Sequence, residues 1–233
     1  MSAALRWLPQ GTVYGALLNF RREWDLWAPQ MTEAPYKAAP QAPVLYIKTA
    51  NTFAPCGAAI AVPDEVDVGA TLGLVIGGFE EKLPPALAES AQAATKKEAG
   101  GLHRIAGCVL LNDLSRPHAS YYRPPIKFRN RDGFLGCGPV LQAVPDLSTL
   151  ALELRINGTL AQRIELSTLV RDAATLLRDV SEFTTLQAGD VLMLGTDCLP
   201  DGTRPRAKAG DRIEIRAPGF APLVHTLIEE RAT

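Results

Sequence analysis

The sequence lacks the features that mark membrane, secreted and nucleic-acid-binding proteins. None of its apolar runs approaches the ~20 residues that a transmembrane helix needs, and the N-terminus has no basic segment followed by an apolar core. Its 24 Lys and Arg residues balance 25 Asp and Glu residues, and the resulting net charge of -1 attracts neither nucleic acid nor an anionic membrane. We therefore expect a cytoplasmic protein whose partner is a small molecule or another protein.

The sequence also lacks the usual signatures of cofactor and metal sites. It contains no GxGxxG, GxxxxGK[ST] or GxSxG motif, so neither a bound nucleotide nor a serine hydrolase nucleophile is expected. The cysteines form no CxxC pair, and no two of the cysteine and histidine residues have the close spacing of zinc ligands. We predict reduced thiols that pack as small apolar residues: Cys56, Cys108, Cys137 and Cys198.

Short runs of Val, Ile and Leu, bounded by Gly, Pro or Asn, dominate the chain and predict β-strands. Such strands are predicted at Val44–Lys48, 58–62 and 71–76. The segment LELRINGTL has the pattern of a hairpin that turns at Asn157-Gly158, and DVLMLGT and DRIEIRA predict two later strands.

Helical patterns occur twice. The segment 85–98 begins at a proline, is rich in alanine and is followed by two glycines, which predicts a helix. Apolar residues recur every three or four positions over 168–183 and predict a second helix with one buried face. Four prolines predict a surface loop over 28–43. Many strands, two helices and no strand-helix alternation favour one mainly antiparallel β domain with a few flanking helices.

The densest group of polar residues lies in 112–134, directly after the apolar strand IAGCVLL. Its segment 116–131 contains five cations, and arginine offers paired donors to carboxylates. The composition therefore suits a dicarboxylate or tricarboxylate ligand. A solvated loop with surface ion pairs is the alternative interpretation.

Five motifs occur along the chain in a fixed order. An N-terminal Gly-x-x-x-Asn segment precedes a strand that ends in Lys before an Asn-Thr turn, a strand that ends in Val-Ile-Gly, an Asn-Asp-x-Ser turn and the run LQAGDVLMLGT. Over nearly the whole chain this order resembles the fumarylacetoacetate hydrolase family. The resemblance implies a single β-roll of mixed sheets over 1–233, with an N-terminal strand, lid and Pro-rich loop in 1–43 and the roll core in 44–233.

Three segments, APYKAAP, VGAT and YYRPPIKFRNRDGF, are similar to the N-terminal half of the family's isomerase/decarboxylases of 4-hydroxyphenylacetate (homoprotocatechuate) degradation. That similarity implies a carboxy-lyase or isomerase that acts on a 2-oxo, multiply carboxylated intermediate of aromatic catabolism. It also implies a homodimer, or a hetero-oligomer with a sister subunit of the same family.

The family resemblance also implies a divalent metal, Mg²⁺ or Mn²⁺, held by a Glu-x-Glu pair and by the Asp of Asn-Asp. In this chain the two Glu positions fall on Gly69 and Thr71, and only Asp113 remains. Mg²⁺ prefers an octahedral shell of oxygen atoms that includes one or two carboxylates. No cofactor is therefore certain, and a metal, if bound, would contact Asp113 alone.

Roles for other residues follow from the same resemblance. The family's motif Lys aligns with Arg129 and its lid His with Glu23, so these two residues and Asp113 are the predicted catalytic groups. Substrate binding is predicted for a larger set: Asn19, Lys48, Tyr122, Arg123, Lys127, Asp132 and Thr196. For Lys48 and Thr196 the alternatives are a strand-terminal charge and an ordinary turn threonine.

The loss of both Glu positions leaves two hypotheses open. In the first, cations such as Arg123, Lys127 and Arg129 stabilise the negative charge that departing CO₂ leaves behind, while Asp113 or Glu23 moves protons. In the second, the chain is a catalytically silent structural subunit that pairs with a metal-bearing sister chain. Arginine is no base near neutral pH, so hydrolysis through a metal- and His-activated water is not expected.

Overall fold

The computed structural model describes residues 7–77, 105–118, 126–138 and 145–230, which form two β-sheets with three α-helices. The helices are α1 (Arg21–Met31), α2 (Ile126–Arg129) and α3 (Ala173–Ser181), with 3-10 turns at Ala50–Thr52 and Leu166–Thr168. The strands are β1 (Val13–Leu17), β2 (Val44–Lys48), β3 (Phe53–Pro55), β4 (Ala59–Val62), β5 (Val66–Ile76), β6 (Ile105–Ser115), β7 (Leu135–Cys137), β8 (Ala151–Ile156), β9 (Thr159–Glu165), β10 (Val191–Met193), β11 (Arg206–Ala207), β12 (Arg212–Arg216) and β13 (Leu223–Glu229). None of the described helices has the length and apolar character that crossing a membrane requires.

The larger sheet has eight strands, and its two longest strands lie near the centre. Its order is β2-β1-β10-β5-β6-β7-β3, and β11 pairs with the start of β5. Strands β5 and β6 pair antiparallel over almost their whole length and are buried, which explains their nearly continuous apolar sequences. Parallel pairing of β1 with β10 and of β3 with β7 makes this a mixed sheet.

The second sheet has five strands in the order β4-β13-β12-β8-β9. The main core includes residues of both sheets, for example Leu110 of β6 and Ile213 of β12. A separate apolar cluster contains Val109 and Leu111, the neighbours of Leu110 in β6. Successive side chains of β6 thus point to opposite faces of the larger sheet, and this alternation decides where its polar residues lie.

Most of the predicted strands are confirmed. Strand β2 has the predicted bounds, segment 71–76 is the second half of β5, and the later predicted strands correspond to β10 and β12. The hairpin of β8 and β9 turns at Asn157 and Gly158, whose φ angles of 52° and 81° are those of a type I′ turn. The mainly β architecture with a few flanking helices is confirmed. Three of the four predicted buried thiols are buried, and Cys56 is half-buried.

The predicted first residue of the Pro-rich loop was wrong. Helix α1 continues through Pro29 to Met31, whereas the sequence predicts a loop from residue 28 onward. A proline in the last turn of a helix removes a single backbone hydrogen bond, so the helix tolerates it there. The helix predicted over 85–98 lies outside the described residues.

Helix α3 is shorter than its apolar pattern predicts, because the chain before it is bonded to the N-terminal segment. The N–H of Val170 donates to the main-chain oxygen of Asn19, and the N–H of Arg171 donates to the Asn19 side chain. Those bonds hold 169–171 outside the helix. Asp172 then accepts from the N–H of Thr175 and caps the helix.

Candidate active site

Polar side chains from three elements meet at the end of β6, on the face of the larger sheet that carries the separate apolar cluster. Asp113 lies in β6, Tyr46 and Lys48 lie two residues apart in β2, and Arg129 ends α2. The Tyr46 ring lies across Gly15 of β1, where a Cβ atom would come within 2.1 Å of the ring. The absence of a side chain at Gly15 therefore leaves the space in which the Tyr46 ring extends to Asp113. We call these four side chains, Tyr46, Lys48, Asp113 and Arg129, the Asp113 cluster.

The Asp113 carboxylate is held by every other member of this cluster. Lys48 Nζ lies 2.9 Å from Oδ1, Arg129 Nη1 donates to Oδ2 over 3.1 Å, and the Tyr46 hydroxyl also donates to Oδ2. Lys48 Nζ also donates hydrogen bonds to the main-chain oxygens of Leu114 and Arg129. All four side chains are buried.

Burial and charge pull the pKa values of this cluster in opposite directions. Burial alone would raise the pKa of Asp113, but Lys48, Arg129 and the Tyr46 hydroxyl hold it below its usual value. Burial lowers the pKa of Lys48 against the opposing effect of Asp113. Burial and the nearby Asp113 charge raise the pKa of Tyr46 well above its usual value. At neutral pH Asp113 is therefore an anion and Tyr46 a neutral hydrogen-bond donor.

The cluster contains two cations and one carboxylate. The guanidinium of Arg129 lies 4.4 Å from the centre of the Tyr46 ring and uses Nη1 to bind Asp113. Its buried Nε has no hydrogen-bond partner among the described residues. An unsatisfied buried donor costs about 1–3 kcal/mol, so an oxygen atom of a ligand would be stabilised there.

A second polar group joins helix α1 to the segment after β10. Glu23 is buried in α1, and its Oε1 lies 2.7 Å from Arg204 Nη2. Arg204 also donates from Nε and Nη2 to the hydroxyl of Thr196, over 3.3 and 3.1 Å. This group brings together two residues that the sequence predicts for the site, Glu23 and Thr196, and one that it does not.

Gly69 lies between the two groups and shows why the implied metal does not fit. It opposes Asp113 in the β5–β6 ladder, and a Cβ at this position would lie 2.5 Å from Thr196 Cγ2. A Glu side chain would thus displace Thr196, while Thr71 offers only a hydroxyl and Asp113 is bound to two cations. The described residues contain no group of three or more His, Cys, Asp or Glu that could hold a metal ion.

A cavity of about 520 Å³ opens beside Arg204. Its lining includes Trp27, Asp67, His118, Thr203, Arg204 and Arg206. Burial raises the pKa of Asp67, although Arg206, Arg204 and His118 oppose that shift. The volume lies within the ~300–1,000 Å³ range of small-molecule sites. Because Arg204 belongs to both the cavity wall and the Glu23 group, the cavity borders that group.

Asn19 lies in a structural position. Its amide donates to the main-chain oxygens of Arg171 and Leu194, and its Oδ1 accepts from the N–H of Arg171. These three bonds tie the end of β1 to the segments after β10 and before α3. A role for Asn19 in substrate binding stays a prediction.

Two of the remaining predicted residues are described, and neither belongs to either buried group. Lys127 is exposed on α2, and Asp132 accepts a 2.7 Å hydrogen bond from Asn51 at an exposed turn. Tyr122 and Arg123 lie outside the described residues.

Two residues of the site, Tyr46 and Arg204, were missed by the sequence-based reasoning. Tyr46 could have been found, because residues two apart in a strand share a face and Lys48 was already a candidate. Arg204 follows Thr196 by eight positions in a loop rich in Gly, Pro and Asp, and no pattern distinguishes it from a surface arginine.

Comparison with known proteins places the chain in a family. The model of the fumarylacetoacetate (FAA) hydrolase C-terminal family matches residues 12–228. The 4-hydroxyphenylacetate degradation bifunctional isomerase/decarboxylase of Escherichia coli is 37% identical over 225 residues, which cover 95% of this chain and 48% of that protein. The homoprotocatechuate catabolism bifunctional isomerase/decarboxylase of Escherichia coli is 36% identical with the same coverage. The chain thus spans about half the length of the curated relatives it matches, and it belongs to the fumarylacetoacetate hydrolase family.

Solved structures show the same fold. The 5-carboxymethyl-2-hydroxymuconate delta-isomerase of Mycobacterium smegmatis matches with a TM-score of 0.67 and 24% identity, over 95% of this chain and 80% of that one. The 2-hydroxyhepta-2,4-diene-1,7-dioate isomerase of Mycobacterium marinum matches with a TM-score of 0.68 and 20% identity, over 98% and 78%. The predicted β-roll of this family is thereby confirmed.

Proposed function

We propose that the chain is a subunit of a 5-oxopent-3-ene-1,2,5-tricarboxylate decarboxylase / 2-hydroxyhepta-2,4-diene-1,7-dioate isomerase of 4-hydroxyphenylacetate catabolism. It would decarboxylate or tautomerise a 2-oxo multicarboxylate. One observation carries the proposal: in the Asp113 cluster two buried cations face a single carboxylate, and Arg129 Nε has no acceptor in the described part of the chain. The names of the bifunctional relatives support the substrate class.

The excess positive charge suits the chemistry of such a substrate. When CO₂ departs, or when a proton leaves the carbon beside the 2-oxo group, an electron pair moves toward the carbonyl oxygen. Fixed donors stabilise that developing charge most strongly in a site that excludes water. In this proposal Arg129 contacts the oxyanion, and Asp113 holds the Arg129 and Lys48 side chains in place.

In this proposal Arg204 contacts a carboxylate at the other end of the substrate. Its guanidinium lines the cavity while Glu23 and Thr196 fix its orientation. Arginine binds carboxylates through paired, parallel hydrogen bonds, which favours a planar acid group in the cavity. The distance between Arg204 and Arg129 would then select substrates by the spacing of their oxo and acid groups.

An assay of CO₂ release from the oxo-tricarboxylate by the purified chain tests this proposal. We expect Arg129→Ala to lower kcat/KM by more than about tenfold, because the oxyanion loses a charged donor. Arg129→Lys keeps the charge and should recover part of the loss. Because the described residues do not fit a divalent metal, EDTA treatment should leave the rate unchanged.

Arg163→Gln is the matched control for Arg129→Ala, since Arg163 is an exposed arginine of β9 that pairs with Glu165. The control should behave as the unaltered chain. An Arg129→Ala variant with full activity, or a reaction that EDTA abolishes, would remove the proposed mechanism.

A catalytically silent subunit is the second candidate, and the closure of the Asp113 cluster favours it. Asp113 Oδ2 accepts two hydrogen bonds, Oδ1 is ion-paired with Lys48, and the ammonium of Lys48 also donates to main-chain oxygens. We propose assembly as a homodimer or with a sister subunit of the same family. Activity that appears only after the sister subunit is added, and that survives Arg129→Ala, would support the silent role.

A further inference from the structure

His118 is the histidine of the cavity beside Arg204, and its ring is fixed in one tautomer. Its Nδ1 lies 2.9 Å from the main-chain oxygen of Arg116. A carbonyl oxygen only accepts hydrogen bonds, so Nδ1 carries the proton and Nε2 is left as the basic nitrogen. Among the described residues Nε2 makes no hydrogen bond.

Helix α2 holds the His118 ring in place. The ring stacks on Phe128 with a centroid distance of 5.0 Å and an angle of 9° between the ring planes. The N–H of Arg116 also donates to the main-chain oxygen of Phe128 over 2.9 Å. The next residue of this helix is Arg129 of the Asp113 cluster. Helix α2 therefore contacts a residue of the cavity wall and carries a cation of the Asp113 cluster.

Other charged groups face the cavity, and Asp67 is the one that could compete with His118 as a base. Its carboxylate is half-buried and lies 3.3 Å from Arg206 Nε, so it is already ion-paired. Arg204 and Arg206 are cations and cannot accept a proton. On the outer side, Arg116 lies 3.7 Å from Asp64 in an exposed pair.

We propose that His118 Nε2 transfers protons to and from the carbon beside the 2-oxo group of the substrate; this inference rests on the proposed function. Nε2 takes a proton from that carbon, the C–H electron pair moves to the carbonyl oxygen, and an enolate and an imidazolium form. The imidazolium then returns the proton to a carbon of the conjugated system. These two proton transfers together isomerise the substrate without any other reactant. Such a general base contributes typically 10²–10⁴ in rate.

The exchange of substrate protons with solvent isolates this step. 2-Oxoglutarate is a stable 2-oxo dicarboxylate, and its C3 hydrogens exchange in D₂O only if a base removes them, which proton NMR measures. We expect the unaltered chain to catalyse this exchange and His118→Gln to slow it by about 100-fold or more. Binding of 2-oxoglutarate, measured by calorimetry, should change less than about threefold. Added imidazole should restore exchange to His118→Ala.

Control variants and outcomes separate this inference from the proposed function. Arg163→Gln should exchange and bind as the unaltered chain does. Exchange that persists in His118→Gln, or that is lost in Asp67→Asn instead, overturns the role of His118. Tight binding without any exchange in the unaltered chain also overturns it, while CO₂ release from the oxo-tricarboxylate would still support the proposed function. Failure to bind the 2-oxo acid at all would reject the proposed function itself.

Discussion

Asn112 and Asp113 are neighbours in β6, yet their side chains lie on opposite faces of the larger sheet. Each belongs to a buried polar region, and one of these regions is charged while the other is neutral. On one face Asp113 is an anion that two cations and a hydroxyl surround. On the other face the amide of Asn112 is fully buried, and neither of its polar atoms has a hydrogen-bond partner among the described residues.

His225 belongs to the neutral region. Its ring lies over Gly136, the residue of β7 that opposes Asn112, and a Cβ at Gly136 would lie 2.3 Å from the ring. His225 Nε2 is 3.1 Å from the main-chain oxygen of Pro55, and burial lowers the pKa of the ring to about 4. The comparison teaches that, among these described residues, Asp113 is buried as a charge where cations contact it, whereas Asn112 and His225 are buried as uncharged polar groups on the opposite face.

The largest effect is expected on the charged face, from Asp113→Asn. This change removes the carboxylate that both buried cations contact in the described structure, and breaking a buried ion pair in this way costs about 3–5 kcal/mol of unfolding free energy. Urea unfolding followed by circular dichroism measures the loss. Asp64→Asn is the matched control, because Asp64 is exposed and its pair with Arg116 is long. The control should change stability by less than about 0.5 kcal/mol. Equal effects of the two variants would contradict the proposed difference between the two regions.

Much of the fold could be predicted from the sequence because its signals are local. The turn at Asn157 and Gly158 needs two positive φ angles, which these residue types supply. Strand β2 ends at Lys48, the first charged residue after its apolar run. The start of α3 could not be predicted. It depends on hydrogen bonds between Asn19 and Arg171, which are 152 positions apart in the chain.

The same limit applies to the candidate site. The family motifs single out Lys48, Asp113 and Arg129, and the structure brings these residues together. What the motifs do not reveal is that the Asp113 carboxylate contacts both cations and the Tyr46 hydroxyl, since that depends on contacts between distant elements. Arg204 is invisible in the sequence for the same reason: only the fold brings it to Glu23, 181 positions away.

A smaller effect is expected from the neutral face when the pH falls. In the folded chain His225 has a pKa of about 4, whereas an unfolded histidine has one of about 6.5. The unfolded state therefore binds the proton first, and stability should fall as pH drops from about 6.5 to about 4, by about 3 kcal/mol in total. His225→Gln has no such titration and should flatten this part of the profile. Identical slopes for the two proteins would show that His225 is not buried in its neutral form.

The smallest effect on stability should come from Asn112→Leu. This variant removes a neutral polar group, whereas Asp113→Asn removes a charge, so the two together compare the two faces. The Asn112 amide is buried without a partner in the described part of the chain, so no hydrogen bond to those residues is lost on substitution. Replacing an unsatisfied polar group by an apolar one of similar shape is nearly neutral or stabilising, and we expect a change within about 1 kcal/mol by urea unfolding. Asn112→Asp, which would bury a charge on the face opposite Lys48 and Arg129, should be much less stable. A loss above about 2 kcal/mol in Asn112→Leu would mean that internal water satisfies the amide, and that the two faces of the sheet differ less than their direct contacts indicate.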